Sequence, residues 1–137
     1  MAALTNYLEN KLIDHIFQST AYTGPSTLYI ALFTAVTDGE AGTVTEVSGG
    51  SYARVAVTAN ASNWSDATGN NGTTANVNPI AFPAATADWG TATHFGIYDA
   101  STAGNLLVYA ALTASRTITN GSTASFAAST LTVQLDN

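Results

Sequence analysis

The sequence contains no cysteine and very few charges, and both shortages narrow what the protein can do. None of the 137 residues is cysteine, which excludes disulfides, thiolate metal sites and cysteine nucleophiles. Charged residues make up only 9% of the chain, against roughly 25% in ordinary soluble domains. The polar surface is therefore expected to consist mainly of Ser, Thr and Asn side chains.

Basic residues are much rarer in the chain than acidic ones. The basic residues are Lys11, Arg54 and Arg116, and the formal net charge is -6. Three scattered cations cannot form the basic patch that nucleic-acid binding requires. We therefore expect no nucleic-acid partner, and anionic membrane surfaces are disfavoured for the same reason.

Long hydrophobic runs are also missing. No apolar segment approaches the ~20 residues of a membrane span, so we expect no membrane insertion. The N-terminus lacks the basic region and apolar stretch of a signal peptide. These features predict a protein that is made in the cytoplasm and reaches any other location by assembly.

What is present begins with an amphipathic pattern in residues 1–20. Asn6 is the expected N-cap, with Glu9 reaching back to it, and Gly24 and Pro25 follow as helix breakers. The apolar residues recur every four positions, at Leu4, Leu8, Leu12 and Ile16, with Tyr7, Ile13 and Phe17 widening the stripe. We expect this helix either to cover the core of its own subunit or to dock on a neighbouring subunit. Its predicted assembly residues are Leu4, Leu8, Leu12, Ile16 and Phe17.

From residue 25 onward the hydrophobic period changes from about four to two. Segments such as "STLYIALFT", "THFGIYDA" and "LLVYAALT" alternate as strands do. In contrast, "DGEAGTVTEVSGG" is expected to be a loop, and the polar stretch 59–78 a surface loop with room for weak strands inside it. The pattern predicts a mainly β fold: an antiparallel β-sandwich or jelly-roll-like domain of seven or eight strands over residues 25–137. Together with the helix it would form a single domain spanning residues 1–137.

One stretch, "HFGIYDASTAGN", carries the residue types of a charge-oriented nucleophile. In a flat strand, however, His94 and Asp99 point to opposite sides of the sheet, and a base must hydrogen-bond to its orienting carboxylate. We therefore interpret the stretch as a β-hairpin whose turn begins at Asp99. No catalytic residue, metal site or cofactor is predicted.

Two further interpretations remain open from the residues alone. A small hydrolase could use two of the carboxylates of Asp66, Asp88 and Asp99, although all three fall in predicted turns or loops. A carbohydrate-binding module could stack sugars on Trp64 and Trp89, unless these rings fold back over the edge of the core.

Several segments in order resemble a known family. They are "LTNYLENKLIDHIF", "TLYIALFT", "DGEAGT" with "EVSGGSYAR", "FPAATADWGTATHFGIYDA", "GNLLVYAALT" and "FAASTLTVQLD". This set is similar to the short virion proteins of tailed bacteriophages and prophages that are usually labelled tail fibre or minor tail proteins. The resemblance implies a β-rich structural particle component with no enzyme activity.

The resulting hypothesis is a non-enzymatic protein on the virion exterior that works as a homo-oligomer. Its expected partners are other virion proteins and itself, and its polar loops, 38–50 and 60–78, would contact neighbouring subunits or a host surface glycan. Capsid decoration of the phage head is the alternative to a tail location.

Overall fold

The chain folds around a central antiparallel sheet in the computed structural model, which describes residues 2–135. The fold is mainly β with one N-terminal helix, as the sequence predicts. In chain order the described elements are β1 (Ala3–Leu4), α1 (Asn6–Phe17), β2 (Thr27–Asp38), β3 (Thr43–Glu46), β4 (Val55–Thr58), β5 (Thr73–Ala75), β6 (Ile80–Ala81), β7 (Gly90–Tyr98), β8 (Leu106–Ile118), β9 (Ser125–Phe126) and β10 (Thr132–Gln134). These ten strands exceed the predicted seven or eight because two-residue strands such as β1, β6 and β9 are too short to show a period.

Six strands form the central sheet and four form two small sheets. The central order is β1-β8-β7-β2-β3, and β4 also pairs with β2. The small sheets are β10-β5 and β6-β9, so β6 lies at an edge as its flanking prolines predict. Pairs between these strands are antiparallel. The result is an open, sandwich-like arrangement.

The two faces of β2 enter two separate cores. Ile30 and Leu32 belong to the larger core, which also contains Ile80 and Leu131 from the segments around the small sheets. Phe33, on the opposite face, belongs to a smaller core with Tyr98 and Leu106. The apolar character of both faces therefore predicts the central position of β2 correctly.

Close packing in the smaller core depends on a glycine. A Cβ atom built on Gly96 would lie 2.5 Å from Cζ of Phe33 and 2.7 Å from Cδ1 of Leu106. Both contacts are shorter than van der Waals separation. Any side chain at this position would therefore displace the buried Phe33 ring.

Two local predictions from the sequence are wrong. The segment "TVTE", expected within a loop, forms β3 because it pairs with the second half of β2. The helix N-cap is Thr5, not Asn6, and its side chain makes no capping bond. Instead, Oγ1 of Thr5 donates a hydrogen bond of 2.6 Å to the carbonyl of Leu106, which fastens the start of α1 to the start of β8.

Strand β8 has an irregularity that no sequence pattern indicates. It pairs with β7 at Ala111 (opposite His94) and again at Arg116 (opposite Ala92). A single residue of β7, Thr93, therefore lies opposite residues 112–115 of β8, so the two strands separate locally. Among residues 2–135, no strand pairs with this four-residue segment.

Candidate functional site

His94 and Asp99 are not brought together in the structure. Nδ1 of His94 lies 2.8 Å from Oγ1 of Thr93. The two carboxylate oxygens of Asp99 accept hydrogen bonds from the backbone N–H and side-chain amide of Asn105, at 2.7 and 2.8 Å. Asp99 thus closes the turn between β7 and β8, and the hairpin interpretation is confirmed.

The other carboxylates considered for a hydrolase do not form a described cluster. Asp88 accepts a hydrogen bond of 2.8 Å from the backbone N–H of Asn120, which fixes the turn at Gly121. Asp66 is exposed in a loop. Within residues 2–135, no three His, Asp or Glu side chains are grouped as metal ligands would be, and no helix there is long and apolar enough to cross a membrane.

The two tryptophans differ in their access to solvent. Trp89 is only 5% exposed, its Nε1 donates a 2.8 Å hydrogen bond to the Gly50 carbonyl, and its ring packs edge-on against Tyr52. The predicted glycan contact at Trp89 therefore needs correction, because a buried ring cannot stack on a sugar. Trp64 is half-buried against the larger core and remains a candidate for such a contact.

A network around Arg54 was not foreseen from the sequence. Arg54 forms a two-pronged ion pair with Glu46, through Nε at 2.9 Å and through the second guanidinium nitrogen at 2.8 Å. Its remaining nitrogen donates to the carbonyls of Ala100 and Ala103, each at 2.8 Å. A planar guanidinium suits this set of acceptors. The network ties β3 and the segment before β4 to the β7–β8 turn, and its role is structural.

Electrostatics reinforce this network. Burial raises the pKa of the Tyr52 phenol far above its ordinary value. The hydrogen bond from the backbone N–H of Leu32 lowers this pKa in part, and the nearby Glu46 carboxylate raises it further. Tyr52 therefore stays neutral and donates a 2.8 Å hydrogen bond to Glu46. Burial alone would lower the pKa of Arg54, but the bond and charge of Glu46 outweigh burial and raise it.

The apolar stripe of α1 is divided between two faces of the helix. Tyr7, Leu8 and Leu12 pack against the larger core of the same chain, and Leu4 lies buried in β1 before the helix begins. The opposite face is apolar but uncovered, since Ile13, Ile16 and Phe17 are 55%, 67% and 76% exposed. The structure therefore separates the predicted assembly residues into an internal group (Leu4, Leu8, Leu12) and an exposed group (Ile16, Phe17).

We call this exposed surface the outer helix face and define it by Glu9, Ile13, Ile16 and Phe17. Their spacing of four, seven and eight residues places them on one side of an α-helix. Glu9 is exposed like the three apolar residues. The face therefore combines three large apolar side chains with one carboxylate.

A cleft of about 590 Å³ opens beside the separated part of β8. Its aromatic residues are Phe82, Phe95 and Phe126, and its rim includes the hydroxyl side chains of Ser and Thr residues. Arg116 is the one charged side chain among the described residues that line it. The volume lies within the range of about 300–1,000 Å³ typical of binding pockets.

The start of α1 and the cleft lie beside different parts of strand β8. Thr5 anchors the helix to Leu106 at the start of β8, and the backbone N–H of Tyr22, which follows the helix, donates a hydrogen bond to Nδ1 of His15. Burial and then the neighbouring Tyr7 and Asp99 groups raise the pKa of Tyr22. Along β8 the cleft runs from Ala110 to Ile118, and it also includes Ala2, which precedes β1. The outer helix face and the cleft are therefore two distinct surfaces that share no residue.

The structure thus combines a mainly β fold with an uncovered helix face and an open cleft. The family model of the podophage GP4 fiber I protein gp80 matches residues 3–134, and the chain belongs to this family. The resemblance to phage tail-fibre proteins is therefore confirmed. The comparison with curated proteins found no match.

Proposed function

We propose that the chain is a non-enzymatic structural protein on the exterior of a tailed-phage virion, of the tail-fibre type, and that it works as a homo-oligomer through surface contacts. The observation that carries the proposal is the match of a phage fibre family to residues 3–134, which is nearly the whole chain.

The outer helix face supports the oligomeric part of this proposal. Large apolar side chains grouped on one exposed face commonly mark an interaction site. The low proportion of charged residues, 9% of the chain, also reduces the cost of bringing two copies together, because fewer charges lose water on contact. Other virion proteins and further copies of the chain are the proposed partners.

Copy number in purified particles tests the location. Quantitative mass spectrometry would compare this chain with the major capsid protein. A few to a few dozen copies per particle is the expected result for a tail fibre. Hundreds of copies would favour decoration of the phage head, and absence from particles would overturn the structural proposal.

Labelling of intact particles tests the exterior placement. Gold-labelled antibodies against the native chain should bind undisrupted virions and cluster on the tail in electron micrographs. Particles opened by osmotic shock provide the control, because an interior protein would be labelled only after opening.

The absence of catalysis is tested at the carboxylates. A chain in which Asp66, Asp88 and Asp99 are all replaced by Asn should assemble into particles that infect normally, since Asn retains one oxygen to accept the backbone N–H bonds of the turns. Only the bond from the side-chain amide of Asn105 to the second oxygen of Asp99 would be lost. Loss of infection by particles that carry the folded variant at the normal copy number would argue for an enzymatic role.

A further inference from the structure

We propose that the outer helix face of one copy inserts into the cleft of the next, so that copies of the chain associate head to tail. The inference deepens the homo-oligomeric part of the proposed function, and rests on it, by naming the two surfaces that meet.

The helix supplies the kind of surface that docks in a groove. Recognition of a helix by a groove uses apolar anchors repeated along one side, which Ile13, Ile16 and Phe17 provide. The helix is already held to its own chain by Leu8 and Leu12 on the opposite side. It can therefore present its outer face as a rigid element and loses little freedom when that face is covered.

The base of the cleft supplies aromatic rings, and its rim supplies the hydroxyl groups of Ser and Thr side chains. The rings of Phe95 and Phe126 lie 5.5 Å apart, and those of Phe82 and Phe126 lie 6.4 Å apart. Phe126 is half-buried, whereas Phe82 and Phe95 are buried beneath it. An aromatic or aliphatic side chain entering the cleft would therefore extend an existing aromatic cluster.

Charge complementarity points to a second copy as the occupant. Arg54 already pairs with Glu46, while Arg116 has no ion pair among the described residues and is the one charge lining the cleft. Glu9 lies on the outer helix face, one turn before Ile13. Docking of this face would bring a carboxylate toward an unpaired cation in a chain whose net charge of -6 otherwise opposes self-association.

The positions of the two surfaces determine the type of assembly. A contact between two different patches is heterologous and leaves one free helix face and one free cleft at the ends of each pair. Further copies can therefore add until a ring closes or an open fibre grows. A symmetric dimer, in which one patch meets itself, would use only one of the two surfaces.

Sedimentation velocity over a range of concentrations tests the contact with single substitutions. Phe17→Ser and Arg116→Glu should each raise the dissociation constant by about thirtyfold or more, as expected for a central interface residue. Both residues are exposed, so both variants should melt at the temperature of the unmodified chain. Leu135→Ser is the matched control, because it removes a 64% exposed apolar residue from another surface and should leave association unchanged.

Mixing the two defective variants gives the sharper test. The Phe17→Ser chain keeps an intact cleft, and the Arg116→Glu chain keeps an intact helix face. Their mixture should form a one-to-one complex that grows no further, at concentrations where the unmodified chain associates and each variant alone is monomeric. The double variant Glu9→Arg with Arg116→Glu, which exchanges the two charges, should recover association.

Two results would overturn the inference. If the chain forms oligomers that neither substitution weakens, another surface mediates assembly, while the proposed homo-oligomer stands. If the chain is monomeric at all concentrations tested, both the head-to-tail contact and the homo-oligomer fail. Particle copy number, measured separately, still decides whether the protein is a virion component.

Discussion

The guanidinium carbon of Arg54 lies 3.5 Å from the centre of the Tyr98 ring. This contact places a cation over an aromatic face on the side of the sheet that holds the smaller core. The same guanidinium binds Glu46 and two carbonyls of the β7–β8 turn. One side chain therefore covers the end of this core and fixes the turn beside it.

Loss of this side chain should destabilise the fold. Arg54→Ala leaves the Glu46 carboxylate and two turn carbonyls without their partner, and we expect it to lower the free energy of unfolding by about 3 kcal/mol. Arg54→Lys should lose less of the free energy of unfolding than Arg54→Ala, but it should still be less stable than the unmodified chain. An ammonium group cannot bind all three acceptors in one plane. Urea denaturation measures both, and an Arg116→Ala control should change stability by less than about 0.5 kcal/mol.

Stability should fall in alkaline solution. Burial raises the pKa of Tyr52 in the folded state above the ordinary value of 10.0, and Tyr98 shifts in the same direction for the same reason. Their contribution to stability is therefore complete below pH 10 and is lost as the pH rises above it, because the unfolded phenols ionise first. Denaturation curves above pH 10 should show a shallower decline for Tyr52→Phe. An unchanged slope would contradict this assignment.

Asn76 should be intolerant of substitution. Its side chain is 1% exposed, donates to the carbonyls of Asn78 and Ala127, and accepts from the N–H of Leu131. Asn76→Ala leaves three polar groups without a partner, at a cost of about 3 kcal/mol. Thermal unfolding would measure the loss against Asn71→Ala, an exposed control expected to be neutral.

The two faces of α1 should respond differently to truncation. Leu12→Ala removes contacts with the larger core and should cost about 1–2 kcal/mol. Ile16→Ala, on the 67% exposed side, should change stability by less than about 0.5 kcal/mol, since Ala favours the helix. Chemical denaturation in dilute solution compares them. Equal losses would mean that both faces are covered within one chain.

Gly96 should not accept even a methyl group. Because an added Cβ would meet the buried ring of Phe33, Gly96→Ala should destabilise the fold by about 2 kcal/mol. The control is Gly24→Ala, where a Cβ would have no neighbour within 4 Å, and this change should be neutral or slightly stabilising. Calorimetric melting temperatures would separate the two variants.

Local patterns in the sequence predict the elements that local forces determine. The alternation in β2 and β7 follows from the geometry of extended backbone, and the turn at Asp99 follows from the hydrogen bonds that Asp and Asn make to nearby backbone. The segments in order also indicate the phage fibre family. Short strands such as β9 escape detection, because their pairing depends on a distant partner.

The candidate surfaces can be identified only in the tertiary structure. A period of four identifies the apolar residues of α1 but not which of them another element covers, so the division between Leu12 and Ile16 cannot be read from the stripe. The same holds for Trp89, whose burial depends on Gly50 and Tyr52, and for Arg54, whose two carbonyl acceptors lie 46 and 49 residues away.

By itself, then, the sequence determined the β-rich class, the helix, the hairpin turn and the family. The tertiary structure alone decided which charges are paired, which aromatic rings are buried, and where an apolar face and an open cleft remain. Backbone periodicity is a property of neighbouring residues. Burial and pairing depend on contacts between segments that are distant in the sequence.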